Sequence, residues 1–255
     1  NGDNDTAEAT VTFPAVSKKA NTVTFTDPAA QFVEGQPVSF TATAAGGGEI
    51  TYAYKAQNAD DNTYSAVAPT EPGSYTVRAT AAEYDTWQSA SATHDFTIVA
   101  KAVESIAVTK NPDKTDYVVG QTLNTAGMEV TATYNDETTA DVTNDCTVPP
   151  TTLNPAGKQT ITVTHTSGKT ATFEVTVTAK ELTGITVEGT PNKVQYQAFE
   201  TFDTTGLTVK AHYNNGTWAV VSDDDYTVVY ENGDYLHAGD TTVTISYGGK
   251  TAQVT

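Results

Sequence analysis

Residues 106–136 read IAVTKNPDKTDYVVGQTLNTAGMEVTATYND, and residues 185–215 read ITVEGTPNKVQYQAFETFDTTGLTVKAHYNN. At an offset of 79 these stretches share 12 of 31 positions, among them Pro112/Pro191, Lys114/Lys193, Tyr117/Tyr196, Gly127/Gly206, Val130/Val209 and Tyr134/Tyr213. Their ends match too. Ala156-Gly-Lys-Gln-Thr-Ile-Thr-Val163 parallels Ala238-Gly-Asp-Thr-Thr-Val-Thr-Ile245, and Gly168-Lys-Thr-Ala171 parallels Gly249-Lys-Thr-Ala252. The offset becomes 82 and then 81, so the insertions fall in loops. A fixed period marks a repeated structural unit. The chain therefore divides into modules at 1–100, 101–179 and 180–255, the first with a different pattern from its siblings. The second module continues through Phe173-Glu-Val-Thr-Val-Thr178, whereas the third reaches Val254-Thr255, so its last strand is expected to be cut short.

Within the modules the dominant signal is alternation of period two. It runs through Thr22–Thr26, Val38–Ala42, Tyr75–Ala79, Ile161–His165, Phe173–Val177 and Val243–Tyr247. Residues two apart share one face of a strand. Each run therefore puts an apolar row on one side and a Thr-rich row on the other, a pattern that suits a half-buried pleated surface. Turn formers separate the runs: Gly46-Gly-Gly48, Glu71-Pro-Gly73, Asn154-Pro-Ala-Gly157, Asn214-Asn-Gly216 and Gly248-Gly249. Many short strands with regular turns indicate an all-β sandwich or barrel.

Composition agrees and excludes much else. The 255 residues include 50 Thr and 27 Val but 5 Leu, 1 Met and 1 Cys. Leu and Met are the residues helices favour, so helices are not expected. Leu, Ile, Val and Phe together fall below the level that, with high net charge, signals disorder. The ordered alternation answers that signal, because Thr on the solvent faces lets few aliphatic residues fill every inward position. The formal net charge is -18. A nucleic-acid partner needs clustered Lys and Arg to release counterions, and the longest basic run is Lys18-Lys19. No apolar run has the roughly 18 residues of a membrane span. Cys146 has no internal disulfide partner. The joints Ala100-Lys-Ala-Val-Glu-Ser-Ile106 and Ala179-Lys-Glu-Leu-Thr-Gly-Ile185 pass from strand to strand with no Pro or Gly-rich spacer, unlike flexible Gly/Ser linkers. Three such modules in line would make a rod on the order of 100 Å at about 3.3 Å per strand residue.

The second and third modules resemble bacterial immunoglobulin-like domains of the group 3 type. The resemblance rests on the Ile-x-Val start, the Pro-x-Lys-x-x-Tyr step (Pro112/Lys114/Tyr117 and Pro191/Lys193/Tyr196), the Thr-x-Gly-[Met/Leu]-x-Val-x-Ala-x-Tyr block and the closing Ala-Gly…Gly-Lys-Thr-Ala block. The pair Asp136-Glu137 departs from the family's turn glycine, which the third module keeps as Gly216. The first module looks like a related mostly-β repeat of bacterial surface proteins, on Ile50–Tyr54, Tyr64, Ala68-Pro69 and Pro72–Ala79. The resemblance implies three tandem Ig-like β-sandwich domains in an extracellular setting, with no enzyme activity and no fixed ligand residues.

Candidate site residues follow from side-chain chemistry. Trp87, Tyr84 and Trp218 are candidate glycan contacts. Trp218 follows a turn and faces a Val-Val pair, so it is expected to cap a core. Asp223, Asp224 and Asp225 form an acidic cluster, as does the loop Asn58–Asn62. Calcium takes several oxygen ligands, so the first of these is the candidate metal site, although neither has EF-hand spacing. Catalysis needs a nucleophile, a base and an orienting group together. His165 aligns with Tyr247 and His212 with Thr133, which marks them as strand-face residues, and Cys146 reads as a small buried hydrophobe. No cofactor is expected. The functional expectation is a stalk or adhesion segment of a bacterial cell-surface protein, with neighbouring domains of a longer chain and a host surface or polysaccharide as partners. The alternatives are a glycan-binding accessory segment of a secreted carbohydrate-active enzyme and a phage virion decoration or fibre protein.

Overall fold

The computed structural model describes residues 11–12 and 16–255. Among the described residues every regular element is a strand, apart from 3-10 turns at Asp61–Thr63 and Thr143–Asp145. Two compact units form. One holds the described residues up to Val103 with Tyr134–Thr138, and the other holds Glu104–Thr133 with Thr139–Thr255.

The first hundred residues carry β1 (Val23–Phe25), β2 (Gln31–Val33), β3 (Ala42–Ala44), β4 (Ile50–Ala56), β5 (Gly73–Ala81) and β6 (Ala90–Val99). β1 pairs with β3, and the second sheet runs β2-β6-β5-β4. Only the end of the Val38–Ala42 alternation becomes strand, yet Phe40 still packs against the core. That core is aromatic. Phe96 lies edge-on to Phe32 at 5.7 Å and to Phe40 at 5.1 Å, and β1 adds Val23 and Phe25 from the facing sheet.

The next module carries β7 (Val103–Lys110), β8 (Asp116–Val118), β9 (Glu129–Tyr134), β10 (Thr139–Asp141), β11 (Cys146–Thr147), β12 (Gly157–His165) and β13 (Thr170–Thr178). Its sheets run β10-β9-β7 and β11-β12-β13-β8. Along β13 the alternation is strict: Phe173, Val175 and Val177 are buried while Thr172, Glu174, Thr176 and Thr178 are exposed. Val163 on the neighbouring strand β12, and Val130 and Ala132 on β9 of the other sheet, are fully buried with them. The last module carries β14 (Leu182–Gly189), β15 (Leu207–Tyr213), β16 (Trp218–Val220), β17 (Thr227–Val229), β18 (Val243–Tyr247) and β19 (Lys250–Val254). Its sheets run β14-β15-β16 and β17-β18-β19, and both supply the core of Ile185, Val209, Ala211, Tyr226 and Ile245.

The Pro-x-Lys-x-x-Tyr step is a small anchor. The Tyr117 hydroxyl donates to the Lys114 carbonyl at 3.1 Å and accepts the Asn124 N–H at 3.0 Å, with the Lys114 ammonium 4.4 Å from the ring centroid. Tyr196 repeats this with Lys193 (2.8 Å) and Asp203 (3.1 Å), the Lys193 ammonium 4.7 Å from its ring. Each hydroxyl thus holds the two ends of its own loop together.

Two turn positions carry side chains where their siblings carry glycine. Glu137 has φ 66° where Gly216 has φ 82°, and Phe199 has φ 75° where Gly120 has φ 90°. A left-handed backbone costs an L-residue about 1–2 kcal/mol, partly offset by glycine's larger unfolded-state entropy of about 0.5–1 kcal/mol. Replacing Glu137→Gly or Phe199→Gly is therefore expected to stabilise the fold by about 0.5–1 kcal/mol. Chemical denaturation of each variant checks this, and a loss of stability would contradict it.

Candidate functional site

The structure brings Tyr84 and Trp87 together and places Trp218 in the other compact unit. The Tyr84 and Trp87 backbones bond to each other, Tyr84 N–H to Trp87 C=O at 3.2 Å and Trp87 N–H to Tyr84 C=O at 2.9 Å. The Trp87 ring lies so close over Gly46 that a methyl there would fall 2.3 Å from Cδ2. Trp87 is therefore half-buried against the glycine turn, with the Lys19 ammonium 5.6 Å from its ring. Tyr84 covers Gly47 and stays 59% exposed.

Trp218 does not cap a core. It is 54% exposed on β16, the edge strand of its sheet, and Val220 beside it on the same face is 61% exposed. The next residue, Val221, is the one that turns inward, 6% exposed. The correction has a simple cause: period two places Trp218 and Val220 on one face, and only long-range pairing decides which face is covered. The Lys210 ammonium sits 4.5 Å from the Trp218 ring centroid and 2.6 Å from Glu188.

Asp223, Asp224 and Asp225 lie on an exposed turn between buried Val221 and Tyr226. Asp223 accepts the Tyr226 hydroxyl at 3.1 Å, and the Asp225 N–H closes the turn on Ser222 at 3.0 Å. Among the described residues no group of three or more His, Cys, Asp or Glu gathers as a metal-ligand set. The Asn58–Asn62 loop is tied by the Lys55 ammonium, which reaches the Ala59 carbonyl at 2.7 Å and Asp61 at 2.8 Å and holds the Asp61 carboxyl below its usual range. Cys146 pairs in register with His165, whose Nδ1 accepts the Ser167 N–H at 3.0 Å. Burial, then Asp145, pushes the Cys146 thiol up, the reverse of nucleophile activation.

The repeated polar construction in this chain lies at its joints. In the second unit the Asn214 side chain donates to the Ala179 carbonyl at 3.0 Å and accepts the Glu181 N–H at 2.9 Å, while its own N–H donates to the Glu181 carbonyl at 3.0 Å. The Lys180 ammonium lies 3.9 Å from the Tyr213 ring centroid. Asn215, next along, donates to the Val119 carbonyl of the preceding module at 2.9 Å. Gly120 lets it approach, since a methyl there would lie 3.1 Å from the Asn215 amide nitrogen. In the first unit the same parts recur 79 residues earlier. Asn135 donates to Ala100 at 2.9 Å and accepts the Ala102 N–H at 3.0 Å, with the Lys101 ammonium 4.8 Å from the Tyr134 ring. Tyr134 and Tyr213 are half-buried under these lysines. The available signal for the clasp was the recurrence of Tyr-Asn together with Ala-Lys at one offset.

Asp136 stands where Asn215 does. Its carboxylate accepts the Thr138 N–H at 3.0 Å and hydroxyl at 2.5 Å, and pairs with Lys101 at 2.7 Å. Lys101 first, then Thr138, lowers its pKa from the ordinary 3.8 to about 2. A depressed carboxyl stabilises the fold fully above its unfolded-state pKa and loses that contribution as pH falls through the folded one. The first joint should therefore keep its ion pair at neutral pH and lose it progressively from near pH 3.8 to about 2. Carboxyl ¹³C titration of Asp136 by NMR should show a midpoint near 2, moved upward by Lys101→Ala. A wild-type midpoint at the ordinary value would contradict the pairing.

Residues 110–177 and 190–255 each match the bacterial Ig-like domain (group 3) family. Pectate lyase L of Thermoclostridium stercorarium is 35% identical over 116 residues, 45% of this chain and 9% of that protein. The exo-beta-1,6-galactobiohydrolase of Bifidobacterium longum subsp. longum is 34% identical over 148 residues, 56% of this chain and 10% of that protein. The chain thus spans about a tenth of the length of these curated relatives. Among solved structures, surface layer protein SbsC (domains 1-6) aligns with 95% of this chain and 41% of its own, at 18% identity and a TM-score of 0.26. The all-β architecture of paired sheets and the two family matches agree with the Ig-like β-sandwich fold expected from the sequence. With more than half of its residues inside those matches, the chain belongs to the bacterial Ig-like domain (group 3) family.

Proposed function

We propose that this chain is a non-enzymatic, extracellular stalk or adhesion segment of a bacterial cell-surface protein. Its work is spatial: it carries neighbouring domains at a set distance and limits bending between modules. The observation that carries this reading is the asparagine clasp at the second joint, which lies within one compact unit. A free linker leaves its backbone polar groups to water, whereas Asn214 binds the Ala179 carbonyl and the Glu181 N–H, and Asn215 reaches the Val119 carbonyl of the preceding module. Each hydrogen bond contributes a net of about 0.5–1.5 kcal/mol, so three or four at one joint outweigh thermal bending. The acidic surface suits a soluble, self-repelling exterior.

Spin labels at Thr172→Cys and Thr251→Cys, in a Cys146→Ser background, would measure the second joint. Both positions are exposed strand residues. The expected distance distribution is single and narrow, and it broadens when Asn214→Ala and Asn215→Ala are combined. A wild-type distribution already broad would overturn the spacer reading.

A second reading, an accessory segment of a secreted carbohydrate-active enzyme, draws on the two curated relatives and on exposed Trp218 beside Lys210. An indole face next to a donor suits a sugar ring. Affinity electrophoresis in pectin and in β-galactan tests it. Retardation lost with Trp218→Ala is the expected result on this reading, and no retardation in either polymer counts against it.

A further inference from the structure

Asn215 at the second joint is followed by Gly216, and Asn232 in the same module is followed by Gly233. Asparagine before glycine is chemically labile, because a residue without Cβ leaves its nitrogen free to meet the asparagine side chain. The nitrogen loses its proton and bonds to Cγ, the Cγ–Nδ2 bond breaks, and ammonia leaves. Water then opens the cyclic imide at either carbonyl, giving aspartate or isoaspartate. Water is the one co-reactant.

The fold holds the two pairs differently. At Asn215 every reacting group is occupied. Nδ2 donates to the Val119 carbonyl at 2.9 Å, and Oδ1 accepts the Thr217 N–H at 3.0 Å and the Thr217 hydroxyl at 2.6 Å. The attacking nitrogen of Gly216 has its N–H on the Tyr213 carbonyl at 3.0 Å. Asn232 and Gly233 lie on an exposed bend, and among the described residues the Gly233 N–H has no backbone acceptor. Asn215 can therefore react only when the contact with the preceding module has opened, whereas Asn232 is free to react at any time.

The first joint shows what the product does. Asp136 occupies the place of Asn215, and its carboxylate keeps the same Thr138 N–H and hydroxyl bonds. The turn thus tolerates an acid. A carboxylate has no proton to donate, so the tie to the Val119 carbonyl is lost. Lys101, which pairs with Asp136 at 2.7 Å, has its counterpart in Lys180, 3.9 Å from the Tyr213 ring centroid.

We propose that Asn215 is a self-modification site that records opening of the second joint: deamidation turns the amide held by Val119 into a carboxylate that pairs with Lys180. The change is irreversible and gives the second joint the chemistry of the first.

The test incubates the 255-residue chain at mildly alkaline pH and follows both pairs by mass spectrometry, after Glu-C cleavage at Glu231 has separated them. Asn215 should deamidate at least about tenfold more slowly than Asn232, a barrier difference of about 1.4 kcal/mol, and the two rates should converge in urea. Asn214→Ala should speed Asn215 several-fold and leave Asn232 unchanged. Thr217→Val, which removes the hydroxyl bond alone, should act in the same direction. Equal native rates, or an Asn215 rate that neither variant moves, would overturn the guarding role. In a second arm the carboxyl of Asn215→Asp is titrated by NMR. It should titrate below the ordinary carboxylate range, and Lys180→Ala should raise it; no response to Lys180→Ala would overturn the pairing. The spin-label distance distribution across the joint should broaden in Asn215→Asp, and an unchanged narrow distribution would overturn the loss of the tie. Only this last measurement rests on the spacer reading, which fails separately if the wild-type distribution is already broad.

Discussion

A buried backbone amide without a partner is costly, and the architecture of this chain answers that cost with one recurring device. In the first two modules a short early strand runs parallel to the last strand, whose other edge is antiparallel to its predecessor. β2 pairs with β6 and β8 pairs with β13 in this way. The same turn follows each early strand. Gln36 and Gln121 side chains accept the N–H groups of Val33 and Val118, at 3.0 and 3.1 Å, and Gly35 or Gly120 supplies the left-handed residue. With the last strand seated, Tyr117 and Leu153 close under it.

The joints use the same economy with side-chain amides. Asn135 and Asn214 present a carbonyl oxygen and an NH₂ to the linker backbone, each accepting one N–H and donating to one carbonyl. The hairpin turn that carries them is shared by both modules: Thr138 and Thr217 each donate N–H and hydroxyl to the residue two before, Asp136 or Asn215. The one chemical difference sets how each joint responds to its surroundings. Asp136 pairs with Lys101 and carries a charge that acid removes, whereas neutral Asn215 reaches a backbone carbonyl that acid does not touch.

Much of the fold was legible because strand faces alternate with a period of two. The inward set Phe173, Val175 and Val177 and the outward Thr set can be read from β13 without coordinates. The repeat was legible because the anchors Tyr117 and Tyr196 require the same neighbours in each module. Glu137 was legible as a departure, and the structure shows what it costs: a left-handed backbone at φ 66° on a residue with a Cβ. The acidic runs were legible as acidic, but their partners were not. The Lys55 ammonium that ties the Asn58–Asn62 loop was not legible from spacing.

From the sequence by itself come the strand faces, the module period and the lack of any basic run longer than Lys18-Lys19. These are local or compositional properties, set by side-chain period, by recurrence and by charge count. Tertiary structure alone decided that Trp218 stands on an open edge, that Trp87 lies on Gly46, and that Asn214 closes on Ala179. Each of these depends on which distant segment lies alongside, and strand pairing between segments tens of residues apart is set by the packing of whole sheets rather than by any local pattern.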